Sequence, residues 1–113
     1  MFLEPGEKVH VVERRLFDGD VRRHFVGEVQ GVDVMAMRVR GFIFVFDSTS
    51  STWVRGSERR TRIIPIGSSG FVINVVSRDT HIDDVRYEEI DGRLNVTDGG
   101  ALKLDINEFG RTR

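Results

Sequence analysis

The sequence predicts an all-β fold, and three observations carry that prediction. The chain of 113 residues holds 16 Val and 8 Ile against 2 Ala and 5 Leu. β-branched side chains suit a pleated, half-buried surface, and so little Ala and Leu leaves scant material for helices. Apolar residues recur with period 2 in short runs, and clusters of Gly, Asp and Ser interrupt those runs about every ten residues.

In chain order, residues 7–14 alternate and read as a strand, and Asp18-Gly19-Asp20 is a tight-turn signal. The strand 21–30 places Val21, Phe25 and Val29 on one face and Arg22, His24, Val26 and Glu28 on the other. Gly31-Val32-Asp33 then turns into the longest β-type run, residues 35–47. Its odd face is aliphatic: Met35, Met37, Val39, Ile43 and Val45 around Gly41. Its even face begins Ala36, Arg38, Arg40 and ends Phe42, Phe44, Phe46. A row of three phenylalanines needs a cover, whether a second layer, a second subunit or a ligand. Gly41, where the two halves meet, is the expected place for a bulge or sharp bend.

Residues 48–51 form a polar loop before the short strand 52–55, which carries the only tryptophan, Trp53. Residues 56–60 are polar and expected to be exposed. The strand 61–66 contains Pro65, which confines it to an edge or a bulge. Gly67-Ser68-Ser69-Gly70 reads as a hairpin turn into the strand 71–76, and residues 77–81 as a single helical turn. The strands 83–90, 93–97 and 101–106 are separated by Asp91-Gly92 and Asp98-Gly99-Gly100, the strongest short-range hairpin signals. They make an antiparallel meander with Val85, Tyr87, Leu94, Val96, Leu102, Leu104 and Ile106 turned inward. Residues 107–113 are expected to fray.

The architecture expected from this order is one domain, 1–113. Its first part, about 7–77, closes as a small antiparallel β-barrel of the SH3, Sm-like or OB type. The three-stranded C-terminal meander, about 82–106, caps it, extends it or pairs with a neighbouring chain.

Composition removes several function classes. Without cysteine there is no disulfide and no thiolate chemistry. A net charge of −1 gives no whole-molecule attraction to nucleic acid or acidic membranes. The charge is nevertheless uneven, with eleven Lys/Arg and nine Asp/Glu up to Arg62 and six against nine thereafter. That asymmetry is compatible with a local basic patch or with head-to-tail association. No apolar run is long enough for a signal peptide or a membrane span, so a cytoplasmic protein with no membrane partner is expected.

The hexamer Arg40-Gly41-Phe42-Ile43-Phe44-Val45 resembles the RNP1 motif of RNA-recognition and cold-shock domains. That resemblance implies that Phe42 and Phe44 stack bases while Arg40 meets phosphate. Ile43 stands where the motif has glycine or alanine, and Asp47 where it has an aromatic. Arg22 and His24 share a face in one strand and Arg38 and Arg40 in the next, so pairing of those strands would make one basic patch. With Trp53 and Arg55 on the adjacent strand, the expected nucleic-acid site is Arg22, His24, Arg38, Arg40, Phe42, Phe44, Trp53 and Arg55. The same phenylalanines also read as core between two layers, and the same arginines as a solvated face.

Nothing else in the chain has the spacing of a site. His81, Asp83 and Asp84 lack a third ligand element, so neither a metal nor any other cofactor is expected. Asp18-Gly19-Asp20 is followed by Arg22 and Arg23 and lacks the closing glutamate of a calcium loop. No serine sits on a strand-to-helix elbow, and no histidine is tied to a nucleophile. The expected role is therefore non-catalytic. It is single-stranded RNA or DNA binding through the Arg/Phe strand face, or homo-oligomeric assembly that buries that face between subunits; a third reading, a small enzyme acting through Arg and Asp or Glu side chains, requires a concave pocket in which those groups converge.

Overall fold

The computed structural model describes residues 2–106, so the expectation for 107–113 lies outside the described residues. Nine strands and one 3₁₀ turn follow in order: β1 (Lys8–Glu13), β2 (Arg23–Val32), β3 (Ala36–Asp47), β4 (Thr52–Arg55), β5 (Arg60–Pro65), β6 (Phe71–Val76), the turn Ile82–Asp84, β7 (Arg86–Ile90), β8 (Arg93–Thr97) and β9 (Lys103–Asp105). No α-helix occurs among the described residues. All ladders are antiparallel.

The first six strands form one sheet in the order β4-β3-β2-β1-β6, and β5 shares the outer edge of β3 with β4. β3 is the axis of the fold because it is buried on both faces. Met37 and Val39 join Leu3, Val9, Val11, Phe25, Val29 and Ile64 in a first core on the inner side of the sheet. Phe42 and Phe44 join Val26 in a second core on the outer side, closed by Ile82, Val85, Val96 and Leu102. The layer over the phenylalanine row is thus the chain's own meander, β7-β8-β9. Only Phe46, at the end of the row, stays half-buried.

The expected barrel does not close. β6 takes the free edge of β1, β5 takes part of the free edge of β3, and no ladder joins β5 to β6. The segment 67–70 accordingly links two strands at opposite ends of the sheet and is not the turn of a hairpin. Two other expectations change with it. The β1–β2 connection is a long loop, in which Asp20 Oδ2 accepts from the amides of Leu16 and Phe17 at 3.1 Å each. The single helical turn falls at Ile82–Asp84, just past the stretch where it was expected.

Gly41 carries no bulge. The β2–β3 ladder runs unbroken through Gly27↔Gly41, and its irregularity lies between Val29 and Gly31. Gly41 is needed for another reason. A Cβ there would fall onto the Val26 carbonyl oxygen and the Gly27 Cα, while a Cβ at Gly27 would meet the Arg40 carbonyl. Two opposed glycines let the strands approach where the sheet curls around its inner core.

The meander follows its turn chemistry. Asp91 (φ 52°) and Gly92 (φ 79°) both have positive φ, as a type I′ hairpin requires. Asp98 organises the next turn, its Oδ1 accepting from the Gly100 and Leu102 amides at 2.8 and 2.9 Å. Its Oδ2 accepts from the His81 amide at 2.8 Å, fastening the 3₁₀ turn to β8.

Gly41→Ala should be among the most damaging small substitutions, since the new methyl meets backbone with nowhere to go. We expect a loss of about 2–3 kcal/mol or more in urea unfolding. A variant within about 0.5 kcal/mol of the native protein would show that the approach of β2 to β3 is not tight.

Candidate functional site

The outer face of the first sheet carries polar residues in the middle of an apolar layer, and register explains why they meet. In β1, His10 lies opposite Val26 of β2 and Asn74 of β6. His24 of β2 lies opposite Val12 of β1 and Phe44 of β3. His10 and His24 are therefore diagonal neighbours on one face, within reach of each other. The meander lays Tyr87 of β7 across both.

The contacts form one relay. Asn74 Nδ2 is 3.2 Å from His10 Nδ1, His10 Nε2 is 3.1 Å from Tyr87 Oη, and Tyr87 Oη is 2.5 Å from His24 Nδ1. His10 Nε2 also lies 3.3 Å from His24 Nδ1. With the Asn74 amide donating, one pattern accounts for these contacts: His10 Nε2–H donates to Tyr87, and Tyr87 O–H donates to His24 Nδ1. Both imidazoles are neutral in that pattern. Burial lowers the His10 pKa to about 4. Burial, then the neighbouring His10 and Arg22, lowers that of His24 to about 3. Burial likewise pushes the Tyr87 phenol up, so it stays protonated.

Trp53 closes the outer side of this group. Its ring lies 4.2 Å from His24 and 4.6 Å from Tyr87, the latter stacked at 16°. The His24 and Tyr87 centroids are themselves only 5.6 Å apart, so both rings lie on the same face of the indole. Phe46 meets Trp53 edge-on at 5.6 Å. Two arginines without an ion-pair partner among the described residues flank the aromatics. Arg22 lies 5.5 Å over the Phe46 ring and Arg55 lies 4.5 Å over Phe42.

Beside Trp53 an open cleft of about 310 Å³ runs between β4 and the start of β7, lined by Phe44, Trp53, Arg55, Asp83, Arg86 and Tyr87 among others. Its rim is braced by Arg55, which donates to the Asp83 carbonyl at 2.7 Å, and by the ion pair of Arg59 with the Asp83 carboxylate.

Of the eight residues expected to bind nucleic acid, six gather here: Arg22, His24, Phe42, Phe44, Trp53 and Arg55. Their exposure differs from the expectation. Phe42 and Phe44 are 8% and 2% exposed, which leaves no ring face for a base while the meander is in place. Arg38 and Arg40 do not join Arg22 and His24. Antiparallel pairing puts His24 opposite Phe44, whereas Arg40 is opposite Glu28 and Arg38 opposite Gly31, at the other end of β3. The meander covers His24, Phe42 and Phe44 and leaves Arg38 and Arg40 exposed. Sequence reasoning missed His10, Asn74 and Tyr87 as one cluster. The available signal was polar side chains at His10 and His24 on the strand face that also carries Val26.

The histidines set a pH dependence of stability. Below about pH 6.5 the unfolded chain takes up two protons that the folded chain refuses. Stability is then fully present above pH 6.5 and falls toward about pH 4 for His10 and about pH 3 for His24. Urea unfolding at pH 7.5, 6 and 5 should show a decline approaching about 1.4 kcal/mol per pH unit for each imidazole. A flat profile across that window would mean that the two rings are not buried neutral.

No protein-family model matches this chain, and neither a curated protein nor a solved structure matches it.

Proposed function

We propose that the protein is a non-catalytic binding module, built on an incompletely closed barrel-like sheet, that takes a single-stranded nucleic acid at the corner formed by Arg22, Phe46, Trp53 and Arg55. The observation that carries this reading is the setting of Trp53. Its indole rests on two rings that are fixed by hydrogen bonds, and two guanidinium groups without an ion-pair partner among the described residues lie over the Phe46 and Phe42 rings. A base stacks well on a platform whose orientation is already determined, and arginine forks suit the phosphates on both sides of it. The reading keeps the Arg-and-aromatic logic of the expected site but moves it from the middle of β3 to its end.

Because Trp53 is the only tryptophan, its fluorescence reports on the platform directly. Titration with a short mixed-sequence RNA at low salt should quench it, and added salt should reverse the quenching. Trp53→Ala should weaken binding by about 1–3 kcal/mol. Arg22→Ala should reduce the salt slope by about 1, while Arg38→Ala, beyond the meander, should leave a short oligonucleotide's affinity unchanged. Unquenched fluorescence together with no binding by the native protein would remove this reading.

One observation favours a second reading, assembly of identical subunits. The free edges elsewhere carry charges or proline, such as Arg60, Arg62 and Pro65 on β5 and Arg86, Glu88 and Glu89 on β7. β6 reads FVINVV with no charge, and its Val72 and Val75 are 36% and 52% exposed. Such an edge is a ready template for a second copy. Light scattering should then give a defined oligomer that Val75→Lys dissociates, and a monomer at all concentrations would dismiss it.

A further inference from the structure

We propose that His10 Nε2, His24 Nδ1 and Tyr87 Oη form a binding site for a divalent first-row metal ion of the zinc class. Three Lewis-basic atoms from three different strands converge, with mutual distances of 3.3, 3.1 and 2.5 Å. Bonds of about 2.0–2.1 Å at tetrahedral angles place neighbouring ligand atoms about 3.3 Å apart. Two sides of the triangle already have that length. The third is held short by the Tyr87 proton, and it opens by about 0.8 Å when a metal ion replaces that proton.

The chemistry of the donors agrees. Imidazole nitrogen and phenolate oxygen, with no thiolate, suit zinc, copper, nickel or iron and not magnesium or calcium. Among the described residues no three His, Cys, Asp or Glu side chains are placed to hold a metal, and here the third donor is a phenol. On binding, Tyr87 Oη exchanges its O–H bond for a bond to the metal and releases that proton to solvent, while His10 shifts its own proton from Nε2 to Nδ1 and so frees the Nε2 lone pair for the metal. The resulting phenolate offsets part of the ion's charge.

Outer-shell support and access are also present. A metal-bound imidazole ordinarily donates its other ring N–H to an oxygen, and Asn74 is the residue at His10 Nδ1. A half-turn of its amide brings Oδ1 there to accept. Of the three donors only Tyr87 lines the open cleft, together with Trp53, so the way in from that side runs past these two rings. The site also accounts for an otherwise costly choice, since two histidines and a tyrosine stand where apolar side chains would complete the second core.

The test starts from chelator-treated full-length protein titrated with cobalt(II), whose visible absorption reports coordination number. We expect one equivalent bound with the intensity of a four- or five-coordinate ion. His24→Ala and Tyr87→Phe, each checked for native far-UV circular dichroism, should lower the affinity at least tenfold. Asn74→Ala should lower it by about 10–100-fold. Ring ¹⁵N spectra of the unsubstituted protein give an arm that needs no variant: zinc(II) should move His10 and His24 and leave His81 in place. Uptake of no metal by the native protein at millimolar cobalt, uptake undiminished in both folded variants, or a shift at His81 alone would overturn the proposal.

Discussion

A strand with large apolar side chains on both faces cannot end a protein; it must lie in the middle of one. β3 is such a strand, and its double burial sets the requirements on nearly everything else. Its aliphatic face is satisfied by curling the sheet onto itself, which brings β1, β2, β5 and β6 around one core. Its phenylalanine face needs a separate layer, and the meander supplies it. Burying one such ring fully contributes about 1.5–3 kcal/mol. Phe42 and Phe44 therefore outweigh the exposed Arg59–Asp83 ion pair at the seam, which contributes about 0–1 kcal/mol. The arginines over Phe42 orient the turn at Ile82–Asp84, and the phenylalanines hold it.

The same requirement leaves the sheet open. A strand has two edges, and β3 gives one to β2 and divides the other between β4 and β5. β6 goes to β1, and the outer edges of β5 and β6 stay unpaired. Two opposed glycines, Gly27 and Gly41, allow the curl to be tight enough for the inner core to close without a complete ring of hydrogen bonds. The fold is thus a curled sheet with a lid on its convex side, and its open edges are as much a consequence of β3 as its cores are.

Much of this was legible in the sequence because it follows from short-range rules. The period-2 alternation located the strands, and Asp91-Gly92 and Asp98-Gly99-Gly100 announced the meander through the φ angles those residues tolerate. The two faces of β3 announced two layers. What was not legible depended on which edge meets which. The proximity of Arg22 and His24 to Arg38 and Arg40 looked plausible on adjacent strands, yet antiparallel register reverses one of them and sends the pairs to opposite ends. Closure of the barrel failed for the same reason, since β5 and β6 are neighbours in sequence and not in the sheet. The His10–Asn74–His24–Tyr87 group lay furthest from reach. Its members come from four strands, and none of them has a partner within the local window that motifs describe.

That group departs from the economy of the rest of the second core. Apolar residues at positions 10, 24 and 87 would fill the same space without desolvating two imidazoles and a phenol, and the net gain from hydrogen bonds that replace those to water is small. One proton pattern accounts for the contacts within the relay, so it is not a defect of packing, but that explains only why it is tolerated. Its geometry shows what it holds in place. Trp53 lies on the face made jointly by His24 and Tyr87, so the hydrogen bonds that fix those two rings also orient the half-buried indole. Anything that widens the His24–Tyr87 contact must tilt the surface on which Trp53 rests. The buried relay and the half-buried indole therefore share a wall one ring thick.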